Sequence, residues 1–106
     1  MTDQLQRAWA LLTDDERPRG MEWWEGEDIE PCLLQDQSLC TDEVAYDRLC
    51  QAVEGVVKKK YLWFFGFNNG EHHVMRKDPV EVVVVHVNPD RLTAACDALE
   101  AERGKS

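Results

Sequence analysis

The dipeptide Asn69-Gly70 constrains this chain more than any other feature. A two-residue type I′ turn needs positive φ at both central positions, and Asn and Gly are the residues that tolerate it. Before it, residues 61–67 form an aromatic and apolar run; after it, residues 71–77 form the return strand. Asp78-Pro79 makes a second turn, and the valine-rich residues 80–87 make a third strand. The spacing therefore predicts an antiparallel three-stranded meander.

In that register Phe67 lies opposite His72 and Phe65 opposite Val74. One face then holds Tyr61, Trp63, Phe65, Phe67, His72, Val74, Arg76, Val83, Val85 and Val87. The other holds Leu62, Phe64, Gly66, His73, Met75, Val82, Val84 and His86. Both faces are apolar near the third strand. Either helices cover both, or one is an exposed adhesive surface.

Outside this block the hydrophobic period is 3.6. Leu5, Ala8, Trp9 and Leu12 share one face of a helix over 3–13, which Pro18 and Gly20 stop. Thr41 caps a helix over 41–57 with Asp42 and Glu43 in its first turn and Ala45, Leu49, Val53 and Val56 on its stripe. Lys58, Lys59 and Lys60 complement its negative end. Asn88-Pro89 opens a helix over 89–103 with Leu92, Ala95, Cys96 and Leu99 as the buried stripe, ended by Gly104. Residues 14–40 read as an acidic loop, with room for a fourth short strand near 21–24. The expected fold is a single α+β domain, 1–106, of three helices packed with a three-stranded meander.

Charge is divided unevenly. Residues 1–54 hold fourteen acids and four bases, a formal −10; residues 55–106 hold seven acids and eight bases, a formal +1. Such a chain repels phosphate backbones, so direct nucleic-acid binding is not expected, and a basic partner is. No apolar run is long enough to span a bilayer, none resembles a secretory leader, and no C-x-x-C pair occurs. The expected location is cytoplasmic, with reduced thiols at Cys32, Cys40, Cys50 and Cys96 and no cofactor.

Within the acidic stretch, Trp23 and Trp24 sit among Glu22, Glu25, Glu27, Asp28 and Glu30. Indoles anchor protein interfaces, and rim acids steer a basic partner. The alternative is that at least one indole plugs the core, since adjacent strand residues face opposite ways. These seven residues are the candidate partner-binding site. They suit a small acidic inhibitor or adaptor that covers a basic, nucleic-acid-handling protein surface in the manner of a phosphate mimic. Small acidic proteins of that type are common among inhibitors carried by mobile elements; the likeness is one of type, not of sequence.

Two other function classes compete. His73 and His86, on a shared face, are weak candidate metal ligands for a small metal- or thiol-dependent enzyme, although no ligand spacing is diagnostic and no nucleotide-binding or hydrolase motif occurs. A homodimeric structural subunit is the third class, driven by an uncovered sheet face, so the chain is expected as a monomer or a homodimer.

Overall fold

The structure, a computed structural model, describes residues 2–27, 29–77 and 81–103, with the backbone alone at 2, 29–31 and 77. The α+β class holds, with three helices, but there are two three-stranded antiparallel sheets. The elements run α1 Thr2–Leu11, β1 Met21–Gly26, β2 Ile29–Gln35, β3 Ser38–Leu39, α2 Asp42–Lys60, β4 Phe64–Asn68, β5 Glu71–Lys77, β6 Val82–Asn88 and α3 Arg91–Arg103. The expected Asp78-Pro79 turn, Val80 and the Gly104 stop lie outside the described residues.

The helix α3 is the centre of the molecule. Its expected stripe of Leu92, Ala95, Cys96 and Leu99 is buried, and so are Ala94 and Ala98. Burial on more than one side follows from its neighbours: α3 packs against α1, α2, β5 and β6. Small residues let those backbones approach closely, and Leu99→Ala at this depth costs about 2–5 kcal/mol. From α2 the core takes Ala45, Leu49, Cys50, Val53, Val56 and Val57; from α1 it takes Leu5 and Ala8, with Leu12 just beyond.

Polar groups bind the helices at their ends. Asp90, rather than Asn88, caps α3: its Oδ2 accepts Thr93 N at 2.8 Å, while Asn88 Oδ1 accepts Asp90 N in the preceding turn. Asp90 also accepts Tyr46 Oη of α2 at 2.8 Å and Gln4 Nε2 of α1 at 2.8 Å. Tyr46 Oη in turn accepts Leu92 N at 3.1 Å. Burial alone would raise the Asp90 carboxyl, but the donors from Thr93, Tyr46 and Gln4 outweigh it and hold the pKa below its ordinary value. Arg91 grips Glu54 through Nε at 3.1 Å and Nη2 at 2.6 Å. Arg7 of α1 pairs with Asp97 at 2.7 Å and Glu100 at 2.9 Å of α3.

The helix α2 runs three residues past the expected end, to Lys60. Lysines form helix well and suit its negative terminus. Leu62 then takes φ of 61°, turning the chain, so the first strand of the meander begins at Phe64 instead of Tyr61. The Asn69-Gly70 hairpin is as expected: φ is 55° and 75°, and Phe67 pairs with His72 and Phe65 with Val74.

The third strand departs from the expected register. Val74 pairs with His86 but Met75 pairs with Val84, so Val85 is an extra, bulged residue. The bulge exchanges the faces beyond it. His86 joins Val74 and His72 on the helix-side face, where its ring stacks on buried Trp63 at 5.7 Å. Val87, Val84 and Val82 share the outer face with Phe64, His73 and Met75. Helices cover one face only: Val74 is fully buried, whereas Phe64, Val82, Val84 and Val87 are exposed.

The expected acidic loop at 14–40 is corrected more substantially: β1 falls at the expected short strand near 21–24, but β2 and β3 follow it and make a second sheet. Pro31 sits inside β2 without disrupting it. Between the pairs Trp24–Cys32 and Gly26–Ile29, two residues of β2, Glu30 and Pro31, oppose one of β1, so Pro31 falls at a bulge where no ladder donor is required. Asp36 and Gln37, with φ of 52° and 69°, close the turn into β3, and Asp36 N donates to Gly20 O at 2.9 Å. Gly20 has φ of 77°, and a Cβ there would collide with the Asp36 side chain.

Candidate protein-binding site

The hairpin of β1 and β2 carries the two candidate indoles, and strand alternation separates them. Met21 and Trp23 share one face with Leu33; Glu22 and Trp24 share the other with Cys32 and Leu34. Met21 and Leu33 are buried in the core, and half-buried Trp23 packs against it. Trp23 Nε1 donates to Glu25 Oε1 at 2.8 Å, so this indole has both its apolar body and its polar tip satisfied. Trp24 is 41% exposed. Its ring lies across Gly26, where an added Cβ would come within 2.7 Å of Trp24 Cη2. The glycine thus makes room for an indole lying flat along the outer face.

The candidate carboxylates do not form one uniform patch. Glu22, Glu25 and Glu27 are exposed, but Glu22 points with Trp24 while Glu25 turns towards Trp23. Asp28 lies outside the described residues, as does the side chain of Glu30.

A groove of about 750 Å³ adjoins the hairpin, lined by Trp9, Trp23, Arg17, Asp14, Asp15 and Glu22 among others. The sequence reading places Trp9 on the apolar face of the first helix and Asp14 and Asp15 in the acidic loop, and carries no signal that β1 folds back beside them to form a groove. Arg17 lies 4.4 Å from the Trp9 ring centroid, donates to Trp9 O at 3.0–3.1 Å and pairs with Asp14 at 2.9 Å. The indole face of Trp9 therefore already holds a guanidinium, flanked by acid. Asp15 is exposed.

Glu16 takes the opposite course from its acidic neighbours. Its side chain is buried, with Arg103 Nη2 and Lys60 Nζ each 2.5 Å from Oε2 and Thr13 N 2.9 Å from Oε1. Arg103 also donates to Leu11 O. The Arg103 hydrogen bond, followed by that of Lys60, holds the Glu16 carboxyl well below the ordinary carboxylate range. This is a brace joining the turn after α1 to the ends of α2 and α3.

The metal-ligand pair is removed by the Val85 bulge. His73 projects from the outer face and His86 from the helix side, contrary to the expected shared face. Among the described residues, no three of His, Cys, Asp and Glu stand together as a group able to hold a metal ion. Thiol chemistry is equally poorly placed at Cys50 and Cys96. Both are buried, and burial pushes each thiol up to about 12, far from the thiolate a nucleophile needs. Burial also raises Cys40.

Trp63, just beyond the lysines that end α2, is buried in the core, and Lys58 Nζ lies 5.4 Å from the Phe65 ring. Among the described residues no helix is long and apolar enough to cross a membrane. Comparison with protein-family models, with curated proteins and with solved structures finds no match for the chain.

Proposed function

We propose that this chain is a small acidic protein-binding module that covers a basic protein surface, of the kind that handles nucleic acid. One observation carries the reading: Trp24 stands 41% exposed on the outer side of a hairpin that also displays Glu22, Glu25 and Glu27. An exposed indole lying on a glycine is a rigid apolar anchor with little rotamer freedom to lose on binding. The groove beside Trp9 adds exposed Asp15 to the acid of Glu22 on this side of the hairpin. Occlusion needs no catalytic group, and the separation of His73 from His86 weakens the enzymatic alternative.

The test uses Trp24→Ala, which removes the anchor without touching the core. Immobilised wild type is used to capture proteins from an extract of the native host, in parallel with the variant and across rising sodium chloride. A basic protein retained by wild type, lost with Trp24→Ala and released by salt is the expected result. A captured set unchanged by both the substitution and the salt would overturn the reading.

A further inference from the structure

Three aromatic rings of this chain already carry a cation. Arg17 stands 4.4 Å from the Trp9 ring centroid, Lys58 Nζ 5.4 Å from that of Phe65, and Arg76 5.9 Å from that of Trp63. The first is the most complete, because the guanidinium over Trp9 also pairs with the Asp14 carboxylate at 2.9 Å. Ring, planar fork and carboxylate together make a small arginine site.

The hairpin of β1 and β2 repeats two of those three parts. Trp24 is exposed, yet among the described residues no cation stands over it. One face of its ring is occupied by Gly26: a Cβ built there would lie 2.7, 3.1 and 3.3 Å from Cη2, Cζ3 and Cζ2, as a point above a ring face does. The opposite face is the one turned to solvent. Glu22 lies two residues before Trp24 on the same side of the strand, and Glu27 follows Gly26, on which the ring rests. Both are exposed, and among the described residues neither carboxylate has a hydrogen bond or an ion pair. A cation above the ring would therefore sit between two unpaired acids.

We infer, on the basis of the acidic binding module proposed above, that Trp24 receives an arginine side chain of the basic partner. The guanidinium stacks on the open ring face, and Glu22 and Glu27 take its charge. Charge complementarity selects this occupant. An apolar side chain would dehydrate the two acids without pairing them. An ammonium pairs with them, but it cannot lie flat on an indole while its edge forks to a carboxylate, as a guanidinium does.

The probes are glycine-flanked pentapeptides with arginine, lysine or uncharged citrulline at the centre. They are titrated into the full chain at low salt and followed through the indole N–H resonances, with Trp24→Phe assigning the Trp24 signal by its loss. The arginine peptide should move that signal and bind at least about threefold more tightly than the lysine peptide, and the citrulline peptide should not bind. Trp24→Leu keeps an apolar side chain without a ring and should bring arginine down to the level of lysine. Trp24→Phe should fall between, which gives the same reading should Trp24→Leu disturb the fold. Equal binding of arginine and lysine by wild type overturns the inference. So does arginine selectivity that survives Trp24→Leu, or a Trp24 signal that no peptide moves. Capture from host extract separates this site from the broader reading. A basic protein lost with Trp24→Ala but held by Trp24→Leu keeps the binding module and overturns the arginine site. Arginine selectivity at Trp24 with no basic protein captured does the reverse.

Discussion

Leu62 holds φ of 61° with its side chain 78% exposed, so it carries a conformational cost and returns little packing. Left-handed backbone costs a non-glycine residue about 1–2 kcal/mol, and glycine there gives back part of that as chain entropy. Leu62→Gly is therefore expected to stabilise the fold by about 0.5–1 kcal/mol, seen as a higher urea midpoint with an unchanged slope. A lower midpoint would mean that the leucine makes a stabilising contact after all. Asp90 is the opposite kind of residue, since one carboxylate caps α3 and accepts from Tyr46 and Gln4. Removing it loses a cap worth about 1 kcal/mol and leaves the Tyr46 hydroxyl without its acceptor. Asp90→Ala should cost about 2–3 kcal/mol in chemical denaturation, and Asp90→Asn, which can still cap, about half as much. Equal losses for the two variants would show that charge, not capping geometry, is what matters there.

The β1–β2 hairpin makes the separation of core from surface testable at the level of an element. Trp23→Ala removes an indole that packs against the core and should cost about 2–3 kcal/mol, whereas Trp24→Ala should cost less than about 1 kcal/mol. The reverse order in thermal or urea melts would mean that the faces of β1 are exchanged. This hairpin is also where the sequence was least readable. Asn69-Gly70 announces its turn because few other residues accept two consecutive positive φ angles. Asp36-Gln37 adopts the same signs without that composition, supported by the Asp36 N to Gly20 O bond, which is non-local. Pro31 argues against a strand until the bulge opposite Glu25 is known. The Val85 bulge was invisible for a simpler reason. Four consecutive valines, Val82 to Val85, carry no alternation, so no pattern fixes which of them faces the helices. The three helices are readable because each has a periodic apolar stripe; their ends differ from the expected ones where α1 stops at Leu11 instead of residue 13, where Lys58–Lys60 prolong α2 and where Asp90 replaces Asn88 as cap. Of the candidate site, sequence identified the two indoles and their acids, but not that Trp23 is a wall of the core, nor that Trp9, Asp14 and Asp15 line a groove beside them.

Across the whole molecule, 52 Å in its longest dimension, negative charge is concentrated in the half of the chain that bears the hairpin, and its partly buried acids serve a different purpose from its exposed ones. Exposed carboxylates give solubility and a field; at physiological ionic strength that field is screened within about 8 Å. Glu16 and Asp90 instead brace the helices, and both have native pKa values below those of the unfolded chain. Above the unfolded carboxylate range, about 4, the stability they confer is fully present; it is lost as pH falls through that range towards their lower native values. Relief of self-repulsion on acidification acts in the other direction, but screening makes it the smaller effect at ordinary salt. The net expectation is that the thermal midpoint is flat from pH 7 to about pH 5 and falls below it. Glu16→Gln gives the decisive comparison. It leaves Arg103 and Lys60 facing a neutral amide, costs about 3 kcal/mol at pH 7, and flattens the acid limb because the titrating brace is gone. Melts of both proteins across that pH range in 0.15 M salt decide it. If the acid limb of Glu16→Gln is as steep as that of wild type, then the hold of Arg103 and Lys60 on Glu16 is not what protects this fold from acid.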